Sequence, residues 1–320
     1  MESVFGVDNK QSIELNIYAD EIKKFRNPQG VHWLYIGILA IPVNKQEEIL
    51  CSLLSDREEI DYYNPLHFSE ITRHKKYRLA EKWLNRIKYD IWKDPIPSEG
   101  SKGYFFHLLG VNLSNLQHSV FGDSGSEHFQ NIYNRFFRST LLYLLKSCFP
   151  NHSEIIVNNL YHHAGYMENN DIFDWHAIWR LENRESNIKF QDEEIEFVEC
   201  NKQNPGPREI TEFIQIIDLL LGSIRQCYDF TSKKRWMIKT AQVIRPLFAS
   251  ISDKFRYRER SKFGIANRGY ISFFPSKKLS VDELEDIHLK NQSNFYNNRK
   301  INLPPGSGDY QQLDFFQSLS

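Results

Sequence analysis

Paired cysteines are missing from this chain. Its four cysteines, Cys51, Cys148, Cys200 and Cys227, are far apart and form none of the short spacings of a Cys-ligated metal site. Each has apolar neighbours, which predicts buried free thiols. No apolar run approaches the roughly 18 residues of a bilayer span, and no signal segment opens the sequence. The expected location is therefore the cytoplasm, with no membrane partner. Charge of one sign is lacking too: the net charge of −1 excludes a uniformly basic nucleic-acid binder, although local patches can hide beneath a neutral sum. There is no internal repeat. No His-Glu-x-x-His motif, phosphate loop, Gly-x-Ser-x-Gly elbow or dinucleotide fingerprint occurs, which removes the best-marked metalloprotease, nucleotide and hydrolase classes.

What is present is ordinary globular material, 41% hydrophobic and 25% charged over 320 residues, with aromatics raised to 14%. That content excludes wholesale disorder and allows a large core. In "SIELNIYADEI" (12–22), Ile13, Leu15, Ile17 and Ala19 alternate with polar residues, the period of a strand with one face in a core. "VHWLYIGILAIP" (31–42) reads as a central strand and "NKQEEILCSLLSD" as a helix. "SEITRHKKYRLAEKWLNRIKYDIW" reads as a long amphipathic helix capped by Ser69. Further strands are expected at 103–113, 153–160 and 194–200. Helices are expected at 126–149, 171–185 and 209–230, and a basic one from Ser232 to about Arg260. This order predicts an α/β fold whose sheet mixes parallel and antiparallel pairs. From Pro275 onward the chain turns polar, and "LPPGSG" is its strongest loop signal. The expected division is a domain over 1–275 and a polar extension over 276–320, with no prediction of oligomeric state beyond a homo-oligomer being open.

Acidic residues raise the functional question. Asp20 and Glu21 stand where the first strand is expected to end. Asp218 sits in the nearly unbroken apolar run "IQIIDLLLG", where an unpaired carboxylate costs several kcal/mol and so calls for a cation, a metal or hydrogen-bond donors. Gly222, one turn later on the same face, permits close approach of another group. Glu199 closes the strand "EFVEC", with Lys202 just after it as a candidate phosphate contact. Acids at strand ends joined by one from a helix are the donors Mg²⁺ or Mn²⁺ takes, completed by water and substrate phosphate. Two such ions about 4 Å apart can serve phosphodiester cleavage. Glu70, and His162 with His163 in "LYHHAG", are further candidates, each with a commoner structural reading: a carboxylate favouring a helix N-terminus and a solvated loop pair.

"IYADE" as the first strand and "FIQIIDLLLGSIRQ" as a late helix resemble the large prokaryotic family called domain of unknown function 3800. Its members open with a strand ending Asp-Glu-Ser-Gly and close with a helix of the type Leu-Gln-Leu-Ala-Asp-Leu. The resemblance covers about residues 12–230 through these two motifs. It implies a ribonuclease H-like fold, metal-dependent cleavage of DNA or RNA, and a mobile-element or phage-defence setting. It places the family's acidic pair on Asp20 and Glu21 and its helix acid on Asp218, with Asp20 and Asp218 as metal ligands. Two departures stand out. Ile22 and Lys23 replace the small residues after the pair, and Asn158 and Asn159 occupy the fourth strand where ribonuclease H-like sites often carry an acid. These departures keep open a second reading, a non-catalytic nucleic-acid-binding or assembly subunit with a degenerate site.

Two other segments suggest partners. "KKRWMIKTAQVIRPLFASISDKFRYRERSKFG" sets Lys233, Lys234 and Arg235 among Trp236, Phe248, Phe255 and Tyr257, the mix a phosphate-tracking, base-stacking surface uses. A solvated helix face has the same composition. Near the end, "QLDFF" resembles the bacterial sliding-clamp-binding peptide. Gln312 would meet the groove's polar edge, while Leu313, Phe315 and Phe316 would fill it, on a flexible tether.

Overall fold

The alternating residues of the first strand are buried on both of its faces, which places it at the centre of a sheet. The computed structural model describes residues 11–93, 103–122, 125–165, 178, 181–183, 185–192, 194–201, 203, 206–256, 268–282, 299 and 301. Strand β1 (Ser12–Arg26) pairs antiparallel with β2 (His32–Pro42), which pairs antiparallel with β3 (Phe105–Asn112). Strand β4 (Glu154–His163) lies parallel to β1 on its other side. Two short strands, β5 (Ile188–Phe190) and β6 (Ile195–Val198), pair in succession with the outer edge of β4. Strand β7 (Gly269–Phe274) closes the far edge, parallel to β3. The result is a seven-stranded mixed sheet flanked by helices, an α/β arrangement consistent with a ribonuclease H-like fold.

Each face of the sheet carries its own apolar layer. Tyr18, Tyr35 and Leu39 face helices α1 (Val43–Ile60), α2 (His74–Lys93), α4 (Arg208–Asp229) and α5 (Arg235–Arg256). Ile17, Ala19, Ile36 and Ile38 face α3 (Ser126–Cys148). Helix α4 is the most buried helix among the described residues. Between Ile210 and Asp229 every residue but Asp218 and Arg225 is buried, as expected of a helix apolar nearly all round. It lies tight on the sheet because Gly37 of β2 has no side chain: a Cβ there would come within 2.9 Å of Ile217 and Leu221.

Polar contacts then fix what surrounds α4. Arg57, buried on α1, grips Glu212 with two hydrogen bonds of 2.8 and 2.7 Å and also meets Gln215. Gln215 in turn accepts the Leu66 amide at 2.6 Å, so the segment entering the 3-10 turn Phe68–Glu70 is pinned to α4.

Several expectations are corrected. β1 does not end at Asp20–Glu21 but runs on to Arg26, so no tight turn is needed where Ile22 and Lys23 stand. The helix expected from Ser69 starts at His74, after the 3-10 turn. β4 continues through both histidines, which are therefore strand residues. β5 and β7 lacked long alternating signals and were not foreseen. The basic helix starts at Arg235, and of its aromatics Phe248 is core. Cys51 is exposed on α1, while the other three thiols are buried as expected. Most of the helix expected at 171–185 lies outside the described residues. Arg299, within the expected polar extension, docks on the domain: its guanidinium lies 4.0 Å from the Trp33 ring and bonds the Tyr35 hydroxyl at 2.8 Å and Asp229. Among the described residues, no helix is long and apolar enough to cross a membrane.

Candidate functional site

Successive strand residues point to opposite faces, so Asp20 and Glu21 separate. Asp20 shares the face of Tyr18 and meets α4, whereas Glu21 shares the face of Ala19 and meets α3. The adjacent acids therefore occupy two different environments.

Asp20 is buried. Its Oδ1 accepts the Glu21 amide at 2.8 Å and lies 3.2 Å from His163 Nδ1. His163 is level with Asp20 because Ala19 pairs with His162. Burial acts to lower the His163 pKa, but the hydrogen bond and charge of Asp20, helped by Asp218 and Glu21, push it up to about 9. His163 is therefore a cation at neutral pH. Asp20 itself is raised: burial dominates and the charge of Asp218 adds to it, against the opposing pull of His163.

Asp218 reaches the same face from α4. Its Oδ2 accepts the Phe68 amide at 2.7 Å and lies 3.7 Å from His67 Nδ1. Gly222 makes the amide contact possible, since a Cβ there would sit 2.1 Å from Phe68 Cγ. The His67 Nε2–H donates to the Cys200 carbonyl at 2.7 Å, which turns Nδ1 toward Asp218. The hydrogen bond to Asp218 raises the His67 pKa despite burial. The His67 and His163 rings are 6.1 Å apart, so Asp20, His163, His67 and Asp218 form one alternating cluster of acids and imidazoles. Arg225, two turns along α4, feels the Asp218 charge.

On its side of the sheet Glu21 packs against His162 and Tyr133, and the charge of Lys23 acts on it only weakly against burial. His162 Nδ1–H donates to the His163 carbonyl at 2.8 Å, so its Nε2 accepts the Tyr133 hydroxyl at 2.5 Å. Burial lowers the His162 pKa to about 4. Glu21 Oε2 lies 3.5 Å from that nitrogen without a hydrogen bond. Burial, with the charge of Asp20 second, raises Glu21 to about 8, so the carboxyl is protonated at neutral pH.

The other expected residues lie apart from this cluster. Glu199 is exposed and bonds Asn201, and the chain just past β6 supplies the Cys200 carbonyl to the site instead of an acid. Glu70 is exposed and pairs with Lys76 at 2.8 Å. Asn158 and Asn159 lie mid-strand, bonded to Glu14 and Asn16 at 3.0 and 2.8 Å, so the residue that β4 offers beside Asp20 is His163. Lys233, Lys234 and Arg235 are exposed at the start of α5. Behind them Trp236 packs on His74 and Tyr77 with centroids 5.2 Å apart in each case, under the Arg235 guanidinium at 4.9 Å. Because His74 opens α2 just after the 3-10 turn, this cationic and aromatic patch belongs to the same layer as Asp218. Lys202 and the peptide Gln312, Leu313, Phe315 and Phe316 lie outside the described residues.

A hard divalent ion suits Asp20 and Asp218 in chemical type. Among the described residues no hydrogen bond engages Asp20 Oδ2 or Asp218 Oδ1, which leaves one oxygen on each. No group of three or more His, Cys, Asp or Glu side chains among the described residues is arranged to hold a metal, so further ligands would have to be water and substrate phosphate. Sequence reading missed His67 and Arg225. The Arg225 spacing, seven residues from Asp218 on one helix face, was the available signal; for His67 there was none, because a loop contact across the fold has no periodicity. No protein-family model, curated protein or solved structure matches the chain.

Proposed function

We propose that this protein is a metal-dependent nuclease of the cytoplasm, cleaving DNA or RNA phosphodiesters. The reading is supported by the convergence of Asp20 and Asp218 on one face of the sheet, where the charge of Asp218 acts on Asp20. These residues would hold Mg²⁺ or Mn²⁺, which supplies Lewis-acid activation of a phosphodiester and of water. His163, protonated at neutral pH, orients Asp20 and can donate a proton to a departing oxygen. Lys233, Lys234 and Arg235, with Trp236 behind them, would track phosphates and stack bases. The test is incubation of end-labelled DNA and RNA with the protein and Mg²⁺ or Mn²⁺. Metal-dependent products that disappear with Asp20→Asn and with Asp218→Asn support the reading, and equal product from the variants overturns it.

One observation favours the second reading, a nucleic-acid-binding subunit with a degenerate site. The His163 cation already sits against Asp20, and neither Glu21 nor Glu199 adds a ligand. Salt-dependent binding without cleavage under any metal would select it. We also carry forward the clamp-binding peptide at Gln312–Phe316 as a proposal. A pull-down with intact tail and with Leu313→Ala/Phe316→Ala decides it, and equal capture by both ends the idea.

A further inference from the structure

Lys23 and Lys24 take no part in the proposed reaction. They lie where the register between β1 and β2 shifts, between Ile22 and Phe25. A bulge of this kind re-aims side chains that a regular strand would send to opposite faces. Both lysines line one cavity of about 710 Å³ on the α3 side of the sheet, walled also by His118, His128, Phe129 and Ile132.

The two histidines form an unusual pair. His118 Nε2 faces the Leu113 carbonyl at 2.8 Å, and His128 Nδ1 faces the Gly122 carbonyl at 3.2 Å. A carbonyl only accepts, so each of these outer nitrogens carries a proton. The inner nitrogens, His118 Nδ1 and His128 Nε2, are 2.8 Å apart, so the two rings are held against one another between two main-chain carbonyls. No carboxylate occurs among the described residues that line this cavity.

We propose that this cavity binds a phosphoryl anion, with Lys23 and Lys24 as donors beside the imidazole pair that walls it. Lysine ammoniums act here as mobile point charges. The site lies across the sheet from the Asp20–Asp218 cluster and does not depend on the proposed reaction. Its anion is either a free phosphate compound or the terminal phosphate of a nucleic-acid strand.

Calorimetric titration of the full chain with inorganic phosphate, at constant ionic strength and with chloride as reference, tests the site. A 5′-phosphorylated oligonucleotide and its 5′-hydroxyl counterpart form the second arm. Saturable binding of either phosphate probe, weakened about tenfold or more in Lys23→Ser/Lys24→Ser and in His128→Gln, is the expected result. Competition by the 5′-phosphorylated strand alone assigns the anion to a strand end, and competition by neither strand assigns it to a free compound. Binding of neither phosphate probe, or unchanged affinity in the lysine variant, overturns the proposal. The lysines are exposed, so their variant decides the matter even if His128→Gln does not fold. Asp20→Asn should bind phosphate as the unaltered protein does, which separates this test from failure of the nuclease reading.

Discussion

Asp20 and Glu21 are neighbours in sequence and strangers in environment. On the α4 side, Asp20 meets a cationic imidazole at 3.2 Å and a second carboxylate, and the imidazole opposes the raising effect of burial without cancelling it. On the α3 side, Glu21 meets a neutral imidazole and aromatic rings, and burial leaves it protonated up to about pH 8. Strand alternation alone produces this division. A carboxylate beside cations is suited to charge chemistry, whereas one among neutral groups behaves as a polar part of the core. The contrast shows that an acidic pair in a sequence need not be an acidic pair in space.

The sharpest way to break this comparison is a pair of near-isosteric changes. Asp20→Asn should reduce metal-dependent cleavage to background, while Glu21→Gln should retain most of it. Equal loss in both would mean that the two sides of the sheet act as one site.

A second change loosens only the α4 side. Gly222→Leu places carbon where Phe68 packs, so it should destabilise the fold by about 1–3 kcal/mol or displace the 3-10 turn. Urea unfolding gives the energy, and the imidazole resonance of His67 reports the turn. An unchanged midpoint and resonance would show that the contact is dispensable.

The third prediction concerns pH. Glu21 has a folded pKa above its unfolded value of 4.5, so the folded state keeps a proton that the unfolded chain has lost between 4.5 and about 8. Its contribution to stability is full below pH 4.5 and is lost as pH rises to about 8. Glu21→Gln removes that loss. The variant should be the more stable of the two at pH 9, with the gap closing toward pH 4. A gap independent of pH would refute the protonated carboxyl.

The smallest effect is expected at Glu199→Gln. This exposed side chain bonds only Asn201 among the described residues, so cleavage should stay within about twofold and stability within about 0.5 kcal/mol. A large loss of cleavage would bring β6 back into the site.

Much of the α/β framework was legible in the sequence. The central strands carry apolar residues at period two or in unbroken runs, and α4 announces itself by an apolar stretch of helical length. β5 and β7 were illegible for the opposite reason. Ile188–Phe190 is too short to show a period, and Gly269–Phe274, buried along its whole length, lies beside a stretch that reads as polar tail. At the site, Asp218 stood out because a carboxylate among apolar neighbours is conspicuous in any sequence, and Asp20 because the first strand was expected to end on it. Glu199 seemed equivalent only because strand ends were judged by position rather than by what they face.

The sequence by itself marked most of the segments that bury their side chains, and the helix acid whose burial demands a partner, since both follow from local periodicity and desolvation. Tertiary structure decided the partners. His163 reaches Asp20 through the parallel register of β4 on β1, and His67 reaches Asp218 through a loop held to α4 by Arg57 and Gln215. Whether a buried carboxyl ionises depends on charges a few ångströms away in space, and those distances are set by the packing of distant segments.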